Sequence, residues 1–379
     1  MAAATVCPSS PEEAAAALGE LGREGRRLRI RGGGTKARRQ APAAAATVTL
    51  ETSGLAGIRA HDAGDFTAVL GAGTRLAEVQ DAFAAAGQRL ALDPPLGEGD
   101  GATIGGILAA ADCGPLRHRY GAGRDLVLGV TVALSDGSLA RAGGRVIKNV
   151  AGYDLAKVFC GSRGALGLLT EVVVRLHPLP PCTATVTLRG ADPATLTAAA
   201  AELAALPLEA ECLDLGWADG EGWLALRLAG IAATARAEAV AERLTGAGGT
   251  VGVVEDDLET WSRARAAQRP GEGLVLKHSG RPSELPRVLT AARAAEAGVI
   301  ARAALGLAWI NLEGEDLERR ARSLLGALSS CTLLEAPAEL RQRLEVAPAG
   351  TGPAGLAQRL KLRFDAAGVC EPLAQWVLT

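Results

Sequence analysis

An alternating segment, Leu28-Arg29-Ile30-Arg31, empties directly into Gly32-Gly33-Gly34-Thr35-Lys36, and this strand-to-glycine junction constrains the chain more than any other feature. Alternation of apolar and polar residues marks a strand. Glycines at its end leave backbone N–H groups unshielded by side chains, a geometry that can cradle phosphate. The run matches neither Gly-x-x-x-x-Gly-Lys-Ser/Thr nor Gly-x-Gly-x-x-Gly, which argues against a P-loop ATPase and a nicotinamide-type Rossmann site. Taken alone, it fits a flexible turn as well as a ligand loop. The pattern recurs downstream. Val69-Leu70 runs into Gly71-Ala72-Gly73-Thr74, followed by the helical stripe Leu76, Val79, Phe83 and a stop at Gly87, which reads as a structural strand-turn-helix. Asp93-Pro94-Pro95 supplies a rigid bend, and Thr103-Ile104-Gly105-Gly106 offers a hydroxyl beside two unhindered amides, both suited to close backbone approach by a ligand. Glycine makes up 48 of the 379 residues, about twice its usual share.

Other compositional features mainly exclude. Forty Lys plus Arg face 42 Asp plus Glu, so no global basic field exists to hold nucleic acid or anionic lipid. Hydrophobic residues at 48% and charged residues at 22% supply a globular core and rule out disorder as the dominant state. The apolar run from Ile104 to Ala111 stops at Asp112, short of the roughly 18 residues a membrane span needs. The N-terminus lacks a basic n-region and soon meets Glu12 and Glu13, so no secretory signal and a cytoplasmic location are expected. Seven cysteines form no Cys-x-x-Cys pair, and the four histidines show no metal-ligand spacing, which argues against an iron–sulfur cluster, a structural zinc or a metal hydrolase in this chain.

Along the chain, helix is expected at 11–22, strands at 47–50, 126–134 and 170–176, and a short helix after Asp154. The turn Ser135-Asp136-Gly137-Ser138 closes the strand before it. His177-Pro178-Leu179-Pro180-Pro181 is the best domain boundary. Beyond it, strands at 184–189, 223–228 and 250–254 alternate with helices at 195–206 and 233–244, with a last strand at 303–311. This is an α+β pattern with helices on one face of an antiparallel sheet. The segment 348–353 reads as mobile, and a closing helix lies near 356–364. The expected division is 1–181, 182–345 and a C-terminal segment, 346–379, that returns to the first domain.

Read in order, the glycine loops, Tyr120-Gly121 with Arg124-Asp125, Lys148-Asn149 with Gly152-Tyr153-Asp154-Leu155, and Gly164-Ala165-Leu166-Gly167-Leu168-Leu169-Thr170-Glu171 resemble the FAD-binding domain of the vanillyl-alcohol-oxidase/cresol-methylhydroxylase superfamily. The ordered set is specific although no member is. Arg145-Val146-Ile147-Lys148-Asn149-Val150-Ala151-Gly152-Tyr153-Asp154-Leu155 most resembles the FAD-binding E subunits of bacterial glycolate oxidases. The resemblance implies non-covalent FAD, with Gly32, Gly33, Gly34, Thr35, Lys36, Pro95, Thr103, Ile104, Gly105 and Gly106 at the diphosphate and ribityl region. Gly164, Leu166, Gly167, Leu168 and Thr170 would follow the adenine and ribose. Lys148 and Tyr153 are candidates for the flavin ring, against the alternatives of a surface lysine and a packed tyrosine. Because glycine loops bind through amides, Gly33→Val is expected to weaken FAD more than Gly71→Ala.

Catalytic members of the superfamily commonly carry Gly-Asp-Gly-Asn-x-His in the cap domain. Here the corresponding stretch, Arg302 to Asn311, has lost those polar ligands, although Arg302 could bind a carboxylate, and Trp309 is expected in core or interface. Cys370-Glu371-Pro372 replaces an Asn-Pro-Gly element. No catalytic residue and no metal ligand are assigned. His278 is expected to be a surface or structural residue, and Arg117, His118 and Arg119 a solvated basic face. The resemblance implies an FAD-binding subunit with an electron-transfer or support role beside a catalytic flavoprotein subunit and an iron–sulfur subunit, with possible peripheral association at the inner face of the cell membrane through those partners. The rivals are an independent FAD-dependent 2-hydroxy-acid dehydrogenase and a non-catalytic scaffold.

Overall fold

The computed structural model describes residues 4–40, 47–147, 153–269, 271–344 and 352–372, and the chain divides into two units. The first contains the described residues of 1–113, 121–179 and 347–378; the second contains those of 114–120 and 180–346. The sequence boundary at 181 thus falls at 179/180, and a short segment expected in the first domain groups with the second. Lys148, with 149–152, lies outside the described residues, as does most of 348–353.

In the first unit, β1 (Thr5–Val6), β2 (Leu28–Arg31) and β3 (Val48–Glu51) form a parallel sheet in the order β1-β3-β2. A five-stranded antiparallel sheet contains β4 (Ile58–Asp62), β5 (Thr67–Gly71), β7 (Val127–Ala133), β8 (Leu139–Gly143) and β9 (Leu168–Arg175), in the order β4-β5-β9-β7-β8. The two-residue strands β6 (Gln88–Arg89) and β10 (His177–Pro178) pair separately. Helix α1 (Pro11–Arg23) starts where the Ser10 hydroxyl accepts a bond from the Glu13 N–H at 3.1 Å. Its Ala14, Leu18 and Leu21 are buried with Leu28, Leu50 and Leu168; full burial of a leucine is worth about 2 kcal/mol. Helices α2 (Leu76–Ala84), α3 (Ile104–Ala109) and α5 (Gly123–Leu126) complete the body of this unit, while α4 (Arg117–Tyr120) belongs to the second.

The second unit is built on eight antiparallel strands: β11 (Thr183–Arg189), β12 (Cys212–Ala218), β13 (Glu221–Ala229), β14 (Thr250–Val254), β15 (Leu274–Ser279), β16 (Gly298–Arg302), β17 (Leu307–Leu312) and β18 (Cys331–Glu335). Their order is β14-β11-β13-β12-β16-β17-β15-β18. Alternate residues such as Val186, Leu215, Leu226 and Ile310 point into one core, shared with α6 (Pro193–Ala205), α7 (Ala233–Leu244), α9 (Leu285–Ala294) and α10 (Leu317–Ala327). The fold is α+β. Helix α8 (Leu258–Ala266) instead brings Trp261 to Thr185, its indole N–H donating to the Thr185 hydroxyl at 2.8 Å. Helix α11 (Ala338–Leu344) follows β18. After it, α12 (Gly352–Phe364) returns to the first unit, where the Lys361 ammonium donates to the carbonyls of Ala165 at 2.8 Å and Cys370 at 3.1 Å.

The expected strand at 303–311 is instead a single 3-10 turn, Ala303–Leu305, and β17, separated by Gly306 at φ 63°. Nor is it the last, because β18 follows. His278 is not at the surface. It is 1% exposed in β15, and burial holds its imidazole below the ordinary pKa. Arg117, His118 and Arg119 are only partly solvated: the His118 ring Nδ1 is buried without a hydrogen-bond partner, and the Arg119 guanidinium donates to the Glu209 carbonyl at 2.6 Å.

Candidate functional site

A cavity of about 460 Å³ opens in the first unit where β2 ends, within the size range of small-ligand sites. Gly32, Gly33, Gly34, Thr35 and Lys36 form one wall. A Cβ on Gly33 would stand 1.6 Å from the Gly101 carbonyl oxygen, and Gly34 holds φ 71°, so this loop can be made only with glycine at both places. The missing Cβ of Gly33 therefore faces protein backbone and not the cavity. Gly71 is equally confined, its Cβ placed 2.1 Å from the Leu55 carbonyl oxygen. This corrects the expected contrast between Gly33→Val and Gly71→Ala, since both disturb packing before any ligand is involved.

The amides of Gly32, Gly33 and Gly34 find no acceptor among the described residues. Three successive donors thus line a cavity without an internal partner, which is costly unless solvent or a ligand accepts from them. The neighbouring segment differs. Thr103, Gly105 and Gly106 line the cavity, yet the Gly105 amide donates to the Ala72 carbonyl at 2.8 Å and the Gly106 amide to the Thr103 hydroxyl at 3.2 Å. The two amides read as unhindered are already used in packing and capping α3, so this segment contributes a smooth surface. Ile104 is buried beneath it, and its amide bonds the Thr74 carbonyl.

Gly164, Gly167 and Leu168 also reach the cavity. Other sequence candidates do not. Pro95 is buried away from it, and Leu166 faces a separate hollow with Arg124, Lys157 and Leu360. Thr170 donates its hydroxyl to the Thr131 carbonyl at 3.0 Å between β9 and β7. Tyr153 is 93% exposed, neither packed nor at the cavity.

Sequence reasoning missed the electrostatics. Arg29, Arg31, Lys36, Arg39 and Arg163 line the cavity, and among the described residues no Asp or Glu does. Carboxylates stand behind them: Glu371 lies 2.5 Å from Arg29, Glu51 lies 3.7 Å from Arg31, and Asp112 meets both Lys36 at 3.4 Å and Arg39 at 3.3 Å. A lining this rich in cations suits the two negative charges of a diphosphate bridge. The alternation of Arg29 and Arg31 with Leu28 and Ile30 was a signal that could have placed both on one face of β2. Arg39 and Asp112 lie 73 positions apart and carry no such local mark. The altered C-terminal element acts here too, because Glu371 anchors Arg29 while burial pushes the Cys370 thiol up to about 12. Amides without an acceptor among the described residues, a cation-rich lining and a glycine-made wall together fit the diphosphate of FAD.

In the second unit, Arg302 is no carboxylate receptor. It is fully buried, its guanidinium donating at 2.6 Å to the equally buried Asp214 and also to Gln268, with its Cζ 5.0 Å from the ring centroid of Trp309. This corrects the expectation that Arg302 could hold a substrate, and it places Trp309 in the interior. Among the described residues, no three His, Cys, Asp or Glu side chains converge as metal ligands.

Comparison with known proteins agrees with the cavity. Residues 2–143 match a family described as an FAD binding domain. Over 132 residues the chain is 40% identical to glycolate oxidase subunit GlcE of Escherichia coli (strain K12), covering 35% of this chain and 37% of that protein. It is 33% identical over 173 residues to a D-lactate dehydrogenase of Archaeoglobus fulgidus, covering 46% and 38%. These alignments span less than two fifths of either relative's length. A solved structure of alkyldihydroxyacetonephosphate synthase superposes with a TM-score of 0.71 at 14% identity, covering 97% of this chain and 75% of that one, a likeness of fold. Residues 2–143 are thus an FAD binding domain similar to that of the glycolate oxidase subunit, in keeping with the resemblance to the vanillyl-alcohol-oxidase/cresol-methylhydroxylase superfamily, and the cofactor is FAD.

Proposed function

We propose that the chain is the FAD-carrying subunit of a glycolate-oxidase-type complex, an FAD-dependent oxidoreductase subunit that transfers electrons or supports assembly beside a catalytic flavoprotein and an iron–sulfur subunit. The observation that carries this reading is the contrast between an intact cofactor cavity and cap strands whose one candidate substrate cation, Arg302, is neutralised and buried by Asp214. Gly32 to Gly34 and the surrounding cations hold the diphosphate. FAD, when bound, supplies the electron acceptor. No His or Cys lines the cavity among the described residues, which supports non-covalent attachment.

Oxidation of a hydroxy acid also needs a base within hydrogen-bond reach of the substrate hydroxyl. The segment Ala303 to Ile310 offers none. The glycolate oxidase relatives support the assignment to a complex, and no described helix is long and apolar enough to cross a membrane; association with the inner membrane face would then run through the partners. The D-lactate dehydrogenase relative favours a second reading, an independent 2-hydroxy-acid dehydrogenase.

One experiment separates them. The FAD-loaded chain, mixed anaerobically with glycolate or D-lactate, is expected to keep its visible flavin absorbance, while purification from the native host brings a second flavoprotein and an iron–sulfur protein with it. Rapid bleaching of the isolated chain would establish the independent dehydrogenase.

A further inference from the structure

We infer that Asp112 is a positioning residue for FAD, holding Lys36 and Arg39 as a preformed pair of cations at the cavity wall. The inference rests on the assignment of this cavity to FAD. Asp112 is 4% exposed and does not line the cavity, whereas Lys36 and Arg39 both do. Its position is set by the end of α3. Ala111 adopts φ 48°, its amide returns to the Leu108 carbonyl at 3.0 Å, and the Asp112 amide returns to the Ile107 carbonyl at 3.0 Å. That pair of bonds is a Schellman closure. It fixes the Asp112 backbone by local geometry, so the carboxylate is delivered to one place.

From there Asp112 lies 3.4 Å from the Lys36 ammonium and 3.3 Å from the Arg39 guanidinium. Lys36 and Arg39 follow the loop whose amides are unsatisfied, with the 3-10 turn Ala37–Arg39 keeping them on one short arc. Two like charges so close repel, and each long side chain loses rotamer freedom when it takes a single geometry. A buried carboxylate between them offsets the repulsion and orders both before the ligand arrives, which lowers the cost of binding. The three side chains together retain one positive charge toward the diphosphate.

The sign of the effect decides the matter. Were Asp112 only a nearby negative charge, Asp112→Asn would make the cavity more positive and tighten FAD. As a positioning residue, its removal loosens both cations and weakens FAD by about tenfold. The purified apoprotein is titrated with FAD, following flavin fluorescence, for wild type, Asp112→Asn, Lys36→Gln with Arg39→Gln, and all three changes together, with circular dichroism recording the fold. Expected is a loss of about tenfold for Asp112→Asn, and no further loss when it is added to the Lys36→Gln, Arg39→Gln background. A merely structural Asp112 would cost affinity in both backgrounds, and that result, or unchanged or tighter binding, overturns the inference. If Asp112→Asn does not fold, Lys36→Gln and Arg39→Gln carry the test singly: each is expected to weaken FAD, and wild-type affinity in either overturns it. Absence of FAD binding by the wild type would instead remove the cofactor assignment, and this inference with it.

Discussion

The cavity of the first unit and the polar face of the second unit's sheet both bury arginines, but they balance them differently. Among the described residues, five cations and no carboxylate line the cavity, and three loop amides have no acceptor. In the second unit, arginines stand beside carboxylates: Arg302 has Asp214, Arg227 has Glu211 at 3.5 Å and Asp257 at 3.0 Å, and Arg269 has Glu335 at 2.8 Å. A surplus of donors and charge marks a place prepared for an anion, whereas a closed set of pairs marks structure. The arginine-rich sheet therefore reads as architecture, and the modest glycine loop is the site proposed for the cofactor.

The hardest test of this comparison is Asp214→Ala, which strands Arg302 in a fully buried setting. A loss of about 3–5 kcal/mol in urea unfolding is expected, with FAD affinity of the folded fraction unchanged; a loss below about 1 kcal/mol would mean that the pair is dispensable. The cavity should respond to salt where the sheet does not. Raising ionic strength from about 0.05 to about 0.5 M should weaken FAD by about tenfold, while unfolding midpoints corrected for general salt effects stay close; salt-independent FAD binding would deny the charge surplus a role.

A smaller effect concerns Tyr120, whose hydroxyl donates to the buried Glu211 at 3.0 Å within the second unit. Tyr120→Phe should cost about 1 kcal/mol in the same unfolding assay, because Glu211 keeps Arg227. A cost near that of Asp214→Ala would show that Glu211 depends on Tyr120 instead.

A further effect is a pH slope. Burial lowers the pKa of His278 from its ordinary 6.5, so the unfolded chain binds a proton more readily than the fold does. Stability from this group is complete above pH 6.5 and is lost as pH falls below it. His278→Gln should flatten the stability profile between roughly pH 6.5 and 5, by at most about 1.4 kcal/mol per pH unit. An unchanged slope would shift the burden to His118, whose pKa burial also lowers.

Much of the fold was legible because it is written locally. The helices expected at 11–22 and 195–206 form at Pro11–Arg23 and Pro193–Ala205, each behind a capping side chain, Ser10 and Asp192, and Gly137 at φ 86° turns β7 into β8 through the Ser135 to Ser138 motif. Alternation found β11, β13 and β14. It missed β12, β15, β16 and β18 in the second unit. Asp214 and Arg302, for example, sit on neighbouring strands and supply a charge where a half-buried strand usually shows a small or apolar side chain.

By itself, the sequence determined where strands end in glycine, and hence a loop at Gly32 to Gly34 whose backbone no side chain covers, since a missing side chain is a property of the residue alone. Tertiary structure decided which donors remain available. It consumed the amides of Gly105 and Gly106 in packing α3 and left those of Gly32 to Gly34 without acceptors among the described residues. It also decided the charges, setting Asp112 behind Lys36 and Arg39 and Asp214 against Arg302. A hydrogen bond or an ion pair depends on a partner brought near by the fold, and spacing along the chain does not carry that distance.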